Sequence, residues 1–506
     1  MDKKIKHFDI AVIGSGPAGE KAAMQASKLR KSVILIEKDP VHIGGSSLHT
    51  GTIPSKSLRE TVVYLELLRK RAHGVTISFK ENLTANELMK HKDWVIEDQE
   101  GSFRRNLKKT GVELLHGTPQ FQPDSEQVGL EEEITPGKPA EKSSKSPVNK
   151  IKGSAVFKSP KLIEIDTGGE EPIHITADYT VIATGSRPHR PSWAKFDGVN
   201  VFDSDTILQI KNLPKKLTIV GAGVIGCEYA CIFAKLGIRV NLVSKDYNIL
   251  PFIDHEIADM LKERMRESRI TLRFGEEMEA IRVTSKDCVE VQLKSGKILP
   301  CSSVMVAAGR SSNTVGLGLE AIGVKLGNRG LVEVNRETYQ TSVENIYAVG
   351  DVIGFPGLAS TAMLQARIAI LHAFGGLENE RLPENLAFGI WTIPAIGMVG
   401  KTEQQLTDAK IPYEVGIGHF SEVSRARIMG EHNGILKLLF DPKTLKLLGV
   451  HAIGPSAMEM IHLGQSVLFF GGTIKYFMNS VFNYPTLDQV YQVAAFNGIN
   501  RLTFDL

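Results

Sequence analysis

Cysteine is scarce in this chain: four in 506 residues, at positions 227, 231, 288 and 301, with no C-x-x-C pair. Cys227 and Cys231 stand four apart on an expected helix and so share one face. Two ligands are too few for a metal site, and that geometry is poor for a bridge. The expectation is buried thiols, no metal, and no cysteine pair able to relay electrons. An excess of charge of one sign is also lacking. A net charge of +3 gives no reason to expect nucleic acid or an anionic membrane surface as a partner. Long apolar runs are missing too: none reaches the roughly 20 residues of a membrane span. MDKKIKHFDI leads directly into a strand-like DIAVIG rather than into the apolar core of a signal peptide. No membrane and a cytoplasmic location are therefore expected. What is present, 42% apolar and 23% charged residues, is the balance of a globular protein with room for about three domains.

The segment FDIAVIGSGPAGEKAAMQASKLRKSVILIEK contains a short apolar strand, a turn with Gly14, Gly16 and Gly19, a helical pattern from Glu20 to about Arg30, and a second strand ending at Glu37. Glycines in such a turn let the backbone approach a pyrophosphate at the helix N-terminus, and the acid at the tip of the second strand suits a ribose diol. The same order recurs in KLTIVGAGVIGCEYACIFAKLGIRVNLVSK, with Gly221, Gly223 and Gly226 in the turn. Here the second strand ends on Ser244 and Lys245 instead of an acid. An acid bonds the 2′-hydroxyl of NAD and repels the 2′-phosphate of NADP, so its absence removes that discrimination. Two readings fit Lys245: a point charge for the phosphate, or a solvated loop lysine.

Further on, TSVENIYAVGDVIGFPGLASTAMLQARIAI reads as a buried strand ending in Gly350 and Asp351 ahead of a helix. It resembles the second FAD fingerprint of flavoproteins with two dinucleotide-binding domains, where the Asp contacts the ribityl chain. VIATGSRP, with Thr184 and Gly185, and VAAGRSSN, with Gly309, resemble the crossover strands of the same group. With these landmarks in order, the chain resembles the pyridine nucleotide-disulphide oxidoreductases, the family of lipoamide dehydrogenase and glutathione reductase. The resemblance implies an α/β fold with two dinucleotide-binding Rossmann-type domains and a C-terminal α+β interface domain through which a homodimer forms. It implies non-covalent FAD on the N-terminal unit and NAD(P)H/NAD(P)+ as substrates on the second. The corresponding boundaries are 1–187 and 310–378 for the FAD domain, 188–309 for the NAD(P) domain and 379–506 for the interface domain. A Pro-, Lys-, Glu- and Ser-rich stretch at about 122–153 lacks periodicity and reads as a mobile surface insertion.

The chain leaves that family at its chemistry. The motif G-G-x-C-x4-C-x-P-S-K becomes GGSSLHTGTIPSK, so Ser47 and Thr52 replace the redox pair. In FNYPTLDQ, Tyr484 and Gln489 stand where the family has its catalytic His and Glu. The nicotinamide and flavin side keeps its residues: Lys56 closes P-S-K, and Glu228 sits where the family pairs that lysine with a carboxylate beside the flavin. The subfamily of soluble pyridine nucleotide transhydrogenases resembles this chain most, in HTGTIPSK, GDVIGFPGLASTA and FNYPT. It usually keeps a cysteine at the Ser47 position and a Glu at the Gln489 position. His49 reads either as a residue over the flavin or as a polar loop residue. The resemblance implies ping-pong hydride transfer from NADPH to NAD+ through FAD. A quinone or dye reductase, and a redox-silent binding protein on the same fold, are the alternatives.

Overall fold

The computed structural model describes residues 5–71, 84–115, 154–166, 171–286, 288–376, 378 and 380–502. The stretch expected as an insertion, 122–153, lies outside the described residues. Two compact units divide the chain, the first formed by Met1–Leu48, Gln99–Arg187 and Ser311–Arg381, the second by His49–Asp98, Pro188–Arg310 and Leu382–Leu506.

In the first unit, strands Glu113–Leu115, Val33–Ile36, Lys6–Ile13, Ile173–Ile182 and Ile346–Ala348 lie side by side in parallel. Their near-continuous Val, Ile and Ala runs follow from burial on both faces, as parallel sheets require. Ile10, Ala11, Val12 and Leu35 are all fully buried. The antiparallel strands Ser154–Phe157 and Leu162–Asp166 extend the first half of Ile173–Ile182. Helix Pro17–Lys28 packs against helix Ala359–Ala373, and the buried residues of both are rich in alanine, among them Ala22, Ala26, Ala366 and Ala369. The helix begins at Pro17 rather than Glu20 because proline suits the first helical position. The strand of the third landmark ends at Ala348, and Gly350–Ile353 forms a 3-10 turn before the helix.

The second unit carries its own parallel sheet in the order Ile270–Arg273, Arg239–Val243, Lys216–Val220, Ser303–Val306, Val201–Phe202. A three-stranded antiparallel sheet, Met278–Ser285, Cys288–Leu293 and Ile298–Cys301, belongs with it. The C-terminal part is a five-stranded antiparallel sheet, Phe388–Ile390, Ala395–Gly400, Leu447–Gly454, Ile435–Phe440 and Glu414–His419, backed by helices Ala457–Phe469 and Gln489–Ile499. The strand-like KLLGVHAIG and GILKLLF supply its central strand and the neighbour of that strand. The architecture is the expected α/β arrangement with a C-terminal α+β domain. No described helix is long and apolar enough to cross a membrane.

Candidate functional site

Both glycine turns are built alike, and a hypothetical Cβ reveals how. At Gly14 (φ +99°) it would meet Ala183 O at 2.5 Å, and at Gly19 it would meet Gly14 O at 1.8 Å. At Gly16 it would meet nothing within 4 Å. In the second unit Gly221 (φ +109°) would clash with Ala307 O at 2.3 Å and Gly226 with Gly221 O at 1.8 Å, while Gly223 again faces open space. The first and third glycines of each turn thus let backbone meet backbone. The middle one leaves room in front of a helix N-terminus, where a pyrophosphate is favoured by unpaired N–H groups.

In the first unit, Glu37 follows the end of its strand. Its Oε2 accepts from Ser15 N at 2.9 Å and Ser15 Oγ at 2.5 Å, and its Oε1 accepts from Asp39 N at 3.1 Å. Ser15 Oγ also accepts from Gly44 N at 3.1 Å, and a Cβ on Gly45 would lie 2.9 Å from Gly16 Cα. The glycine pair that opens GGSSLHTGT is therefore laid against the turn of Gly14, Gly16 and Gly19. Across the sheet, Asn313 Nδ2 donates to Thr184 O at 2.9 Å and Asn313 N to Gly185 O at 3.0 Å. Ser186 Oγ donates to Asp351 Oδ2 at 2.9 Å, and Gly350 N donates to Gln365 Oε1 at 2.9 Å. The Thr184 hydroxyl is buried without a hydrogen-bond partner. A buried hydroxyl left unpaired is disfavoured, so an orphan beside an open glycine cradle fits a polar cofactor such as FAD.

In the second unit the turn is followed by strand Arg239–Val243, then buried Ser244 and exposed Lys245. Ser244 Oγ accepts from Asp246 N at 3.2 Å. Gly309 (φ +97°) offers its carbonyl to His189 N at 2.9 Å. Helix Thr52–Arg71 packs against helix Val224–Lys235, and two ion pairs join them: Lys56 Nζ to Glu228 Oε2 at 2.6 Å and Lys235 Nζ to Glu66 Oε1 at 2.8 Å. Glu228 is 3% exposed, and its other oxygen accepts from Trp391 N at 2.8 Å. The Trp391 ring lies 5.9 Å from Lys56 Nζ and 5.5 Å from Arg59 Cζ, and Arg59 is anchored on Thr392 O. Lys56 and Glu228, far apart in sequence, are brought together as a pair in which the carboxylate is buried and the ammonium part-buried.

Ser47 lies in the short helix Gly45–His49, and Thr52 opens the helix that carries Lys56. All four cysteines are free. Cys227, Cys231 and Cys301 are buried, and burial pushes their thiol pKa values up, that of Cys231 to about 11. Tyr484 is exposed and its hydroxyl lies 2.8 Å from Ser424 Oγ, while Gln489 Oε1 is buried without a partner. Residues not singled out from the sequence also frame these features: Ser15, Ser186, Asn313, Gln365, Arg59 and Trp391. Ser15 had a signal, as a hydroxyl inside the G-S-G turn. Trp391 makes its key contact through backbone N–H, which no sequence pattern reports.

Residues 8–366 match the family Pyridine nucleotide-disulphide oxidoreductase, and residues 387–495 match its dimerisation domain. The chain is 42% identical to a protein named soluble pyridine nucleotide transhydrogenase from Mycobacterium tuberculosis, over 98% of each chain. It is 40% identical to one of the same name from Marinomonas sp., over 98% of this chain and 99% of that one. Among solved structures, LpdA from Mycobacterium tuberculosis superposes with a TM-score of 0.82 at 23% identity, covering 97% of this chain and 99% of LpdA. The HOCl-induced flavoprotein disulfide reductase RclA from Escherichia coli gives 0.80 at 23%, covering 96% and 99%. These two likenesses concern the fold, and it is the sequence matches that show the lineage. The chain belongs to the pyridine nucleotide-disulphide oxidoreductases, enzymes that oxidise or reduce NADH or NADPH.

Proposed function

We propose that this oxidoreductase is an FAD-dependent NAD(P)+ transhydrogenase that moves hydride from NADPH to NAD+, reversibly, with no redox-active disulfide. One observation carries the reading: the family's two thiols are replaced by Ser47 and Thr52 and its imidazole by Tyr484, while both glycine cradles and the Lys56–Glu228 pair are present. The relatives at 39–42% identity bear the transhydrogenase name, which supports the same conclusion.

FAD would be held non-covalently by the Gly14, Gly16 and Gly19 turn, Glu37, Thr184, Gly185 and Asp351. Bound there, it supplies the two-electron relay between one nicotinamide and the next. Gly221, Gly223, Gly226 and Gly309 would hold the nicotinamide nucleotide. Ser244 and Lys245, in place of an acid, admit either form. Because the described residues offer one such cradle for a nicotinamide nucleotide, NADPH and NAD+ would take turns in it, which makes the kinetics ping-pong. The reaction NADPH + NAD+ → NADP+ + NADH balances with one hydride and no net proton, so it needs neither the missing base nor a thiol. Lys56 would supply a positive charge to the electron-rich state, and Glu228 holds that ammonium in place through the 2.6 Å ion pair. The proposed partner is a second copy of the chain, supported by the match to the dimerisation domain and by Phe469, Phe470 and Val481, exposed by 72%, 82% and 99%.

The test is an anaerobic two-step spectrum. NADPH should bleach the flavin band near about 450 nm, and excess NAD+ should restore it with NADH formed. Restoration by a quinone alone would replace this reading with that of a quinone reductase. A purified protein without flavin would overturn both.

A further inference from the structure

The second nucleotide fold lacks an acid at the end of its second strand, yet a cation waits on the strand beside it. Strand Ile270–Arg273 runs parallel to Arg239–Val243, with Arg273 in register with Val243. Neighbouring strands lie about 4.8 Å apart, so the arginine stands next to the point where a dinucleotide's adenosine ribose is read. Two backbone hydrogen bonds fix that relation: Ser244 N donates to Arg273 O at 2.9 Å, and Glu276 N donates to Ser244 O at 3.0 Å. The Arg273 guanidinium has no hydrogen bond or ion pair among the described residues, and its Nε is buried without a partner. Arg273 as a whole is only half-buried, so the rest of its guanidinium remains open to an anion arriving from solvent.

The nearby acids are already engaged. Glu276, whose carboxyl feels the Arg273 charge, is ion-paired with Lys297 at 2.5 Å, and Glu277 is ion-paired with Lys294. Ser244 is buried next to the arginine backbone, and its Oγ, which accepts from Asp246 N, keeps its own proton to donate. Lys245, by contrast, is exposed at the tip and offers a mobile point charge.

We propose that Arg273 is the specificity-determining residue for the 2′-phosphate of NADP(H), binding it together with the Ser244 hydroxyl. The proposal rests on the reading above that this fold takes a nicotinamide dinucleotide. It gives the fold an asymmetric preference: the phosphate is gripped through a planar, multi-donor cation, while NAD, with no phosphate to bind and no acid to hold its diol, enters more weakly.

Two fragments isolate the effect from turnover, 2′,5′-ADP and 5′-AMP, titrated calorimetrically into the purified holoprotein. Wild type should bind 2′,5′-ADP about tenfold or more tighter than 5′-AMP, the scale of a charge-assisted contact. Arg273→Gln should bring the two affinities to within about twofold with that for 5′-AMP unchanged, and Arg273→Lys should keep part of the difference. Unchanged 5′-AMP binding also shows that the variant is folded. Equal affinities in wild type, or a preference that survives in Arg273→Gln, would overturn the assignment and leave the transhydrogenase reading standing. If neither fragment binds wild type, the nucleotide fold has been misread and both fall.

Discussion

Glu228 holds the Lys56 ammonium with one carboxylate oxygen and the Trp391 backbone N–H with the other, at 2.6 and 2.8 Å. Removing the carboxylate leaves a part-buried cation and a backbone donor unpaired together. Glu228→Ala should therefore lose about 3–5 kcal/mol of stability, read by urea denaturation. Lys56→Met removes the cation, and should slow flavin reduction by NADPH in stopped flow by about tenfold or more if the charge stabilises the electron-rich state. An unchanged reduction rate would make the pair merely structural.

Alkylation tests the absence of thiol chemistry. Burial raises the pKa of Cys227, Cys231 and Cys301, so their reactive thiolates are suppressed at neutral pH. Turnover after prolonged N-ethylmaleimide treatment should equal that of the untreated protein. A parallel loss of activity and free thiol would revive a cysteine mechanism.

The two kinds of glycine in the cradle should separate on substitution. Gly226→Ala drives a Cβ against the Gly221 carbonyl, a backbone atom that cannot swing aside, and should destabilise the fold by about 1–3 kcal/mol. Gly223→Ala meets open space, so its denaturation midpoint should match wild type. On the proposed reading the added methyl would stand where the pyrophosphate approaches, and binding of 5′-AMP-containing nucleotides should weaken by about tenfold or more.

Stability should fall on acidification in two windows. Lys437, fully buried on its strand, is ion-paired with Asp254 and Glu256, each at 2.9 Å, and with Glu403. Burial holds the His451 imidazole below its ordinary 6.5, so the unfolded chain takes up the proton first and stability drops as pH falls below that value. For Asp254, burial works to raise the pKa, but His451, Lys437 and the Glu403 amide together hold it below 3.8. Its contribution is present above that pH and lost as pH falls further. Urea midpoints measured from pH 7 to 5 should decline, and His451→Gln should flatten that decline.

A dimer should depend on the exposed apolar surface of the C-terminal domain. Phe470→Glu combined with Val481→Arg places opposite and bulky charges at positions 82% and 99% exposed, where an isolated subunit tolerates them. Sedimentation should show a dimer for wild type and a monomer for the double variant, which should remain folded by circular dichroism.

By itself, the sequence determined the two Rossmann-type folds, because each demands a fixed local order: a buried strand, a glycine turn, a helix and a second strand. It also determined that positions 47 and 52 carry no thiol and position 484 no imidazole, since residue identity alone decides that chemistry. Which side chains meet was decided by tertiary structure. Lys56 and Glu228 are 172 residues apart and are joined only because their helices pack together. Trp391 contributes a backbone N–H, and any residue other than proline has one. Nothing local in the sequence marks Arg273. Its place beside Ser244 comes from strand register, and its unpaired guanidinium from what surrounds it, both set by long-range packing that no local pattern records.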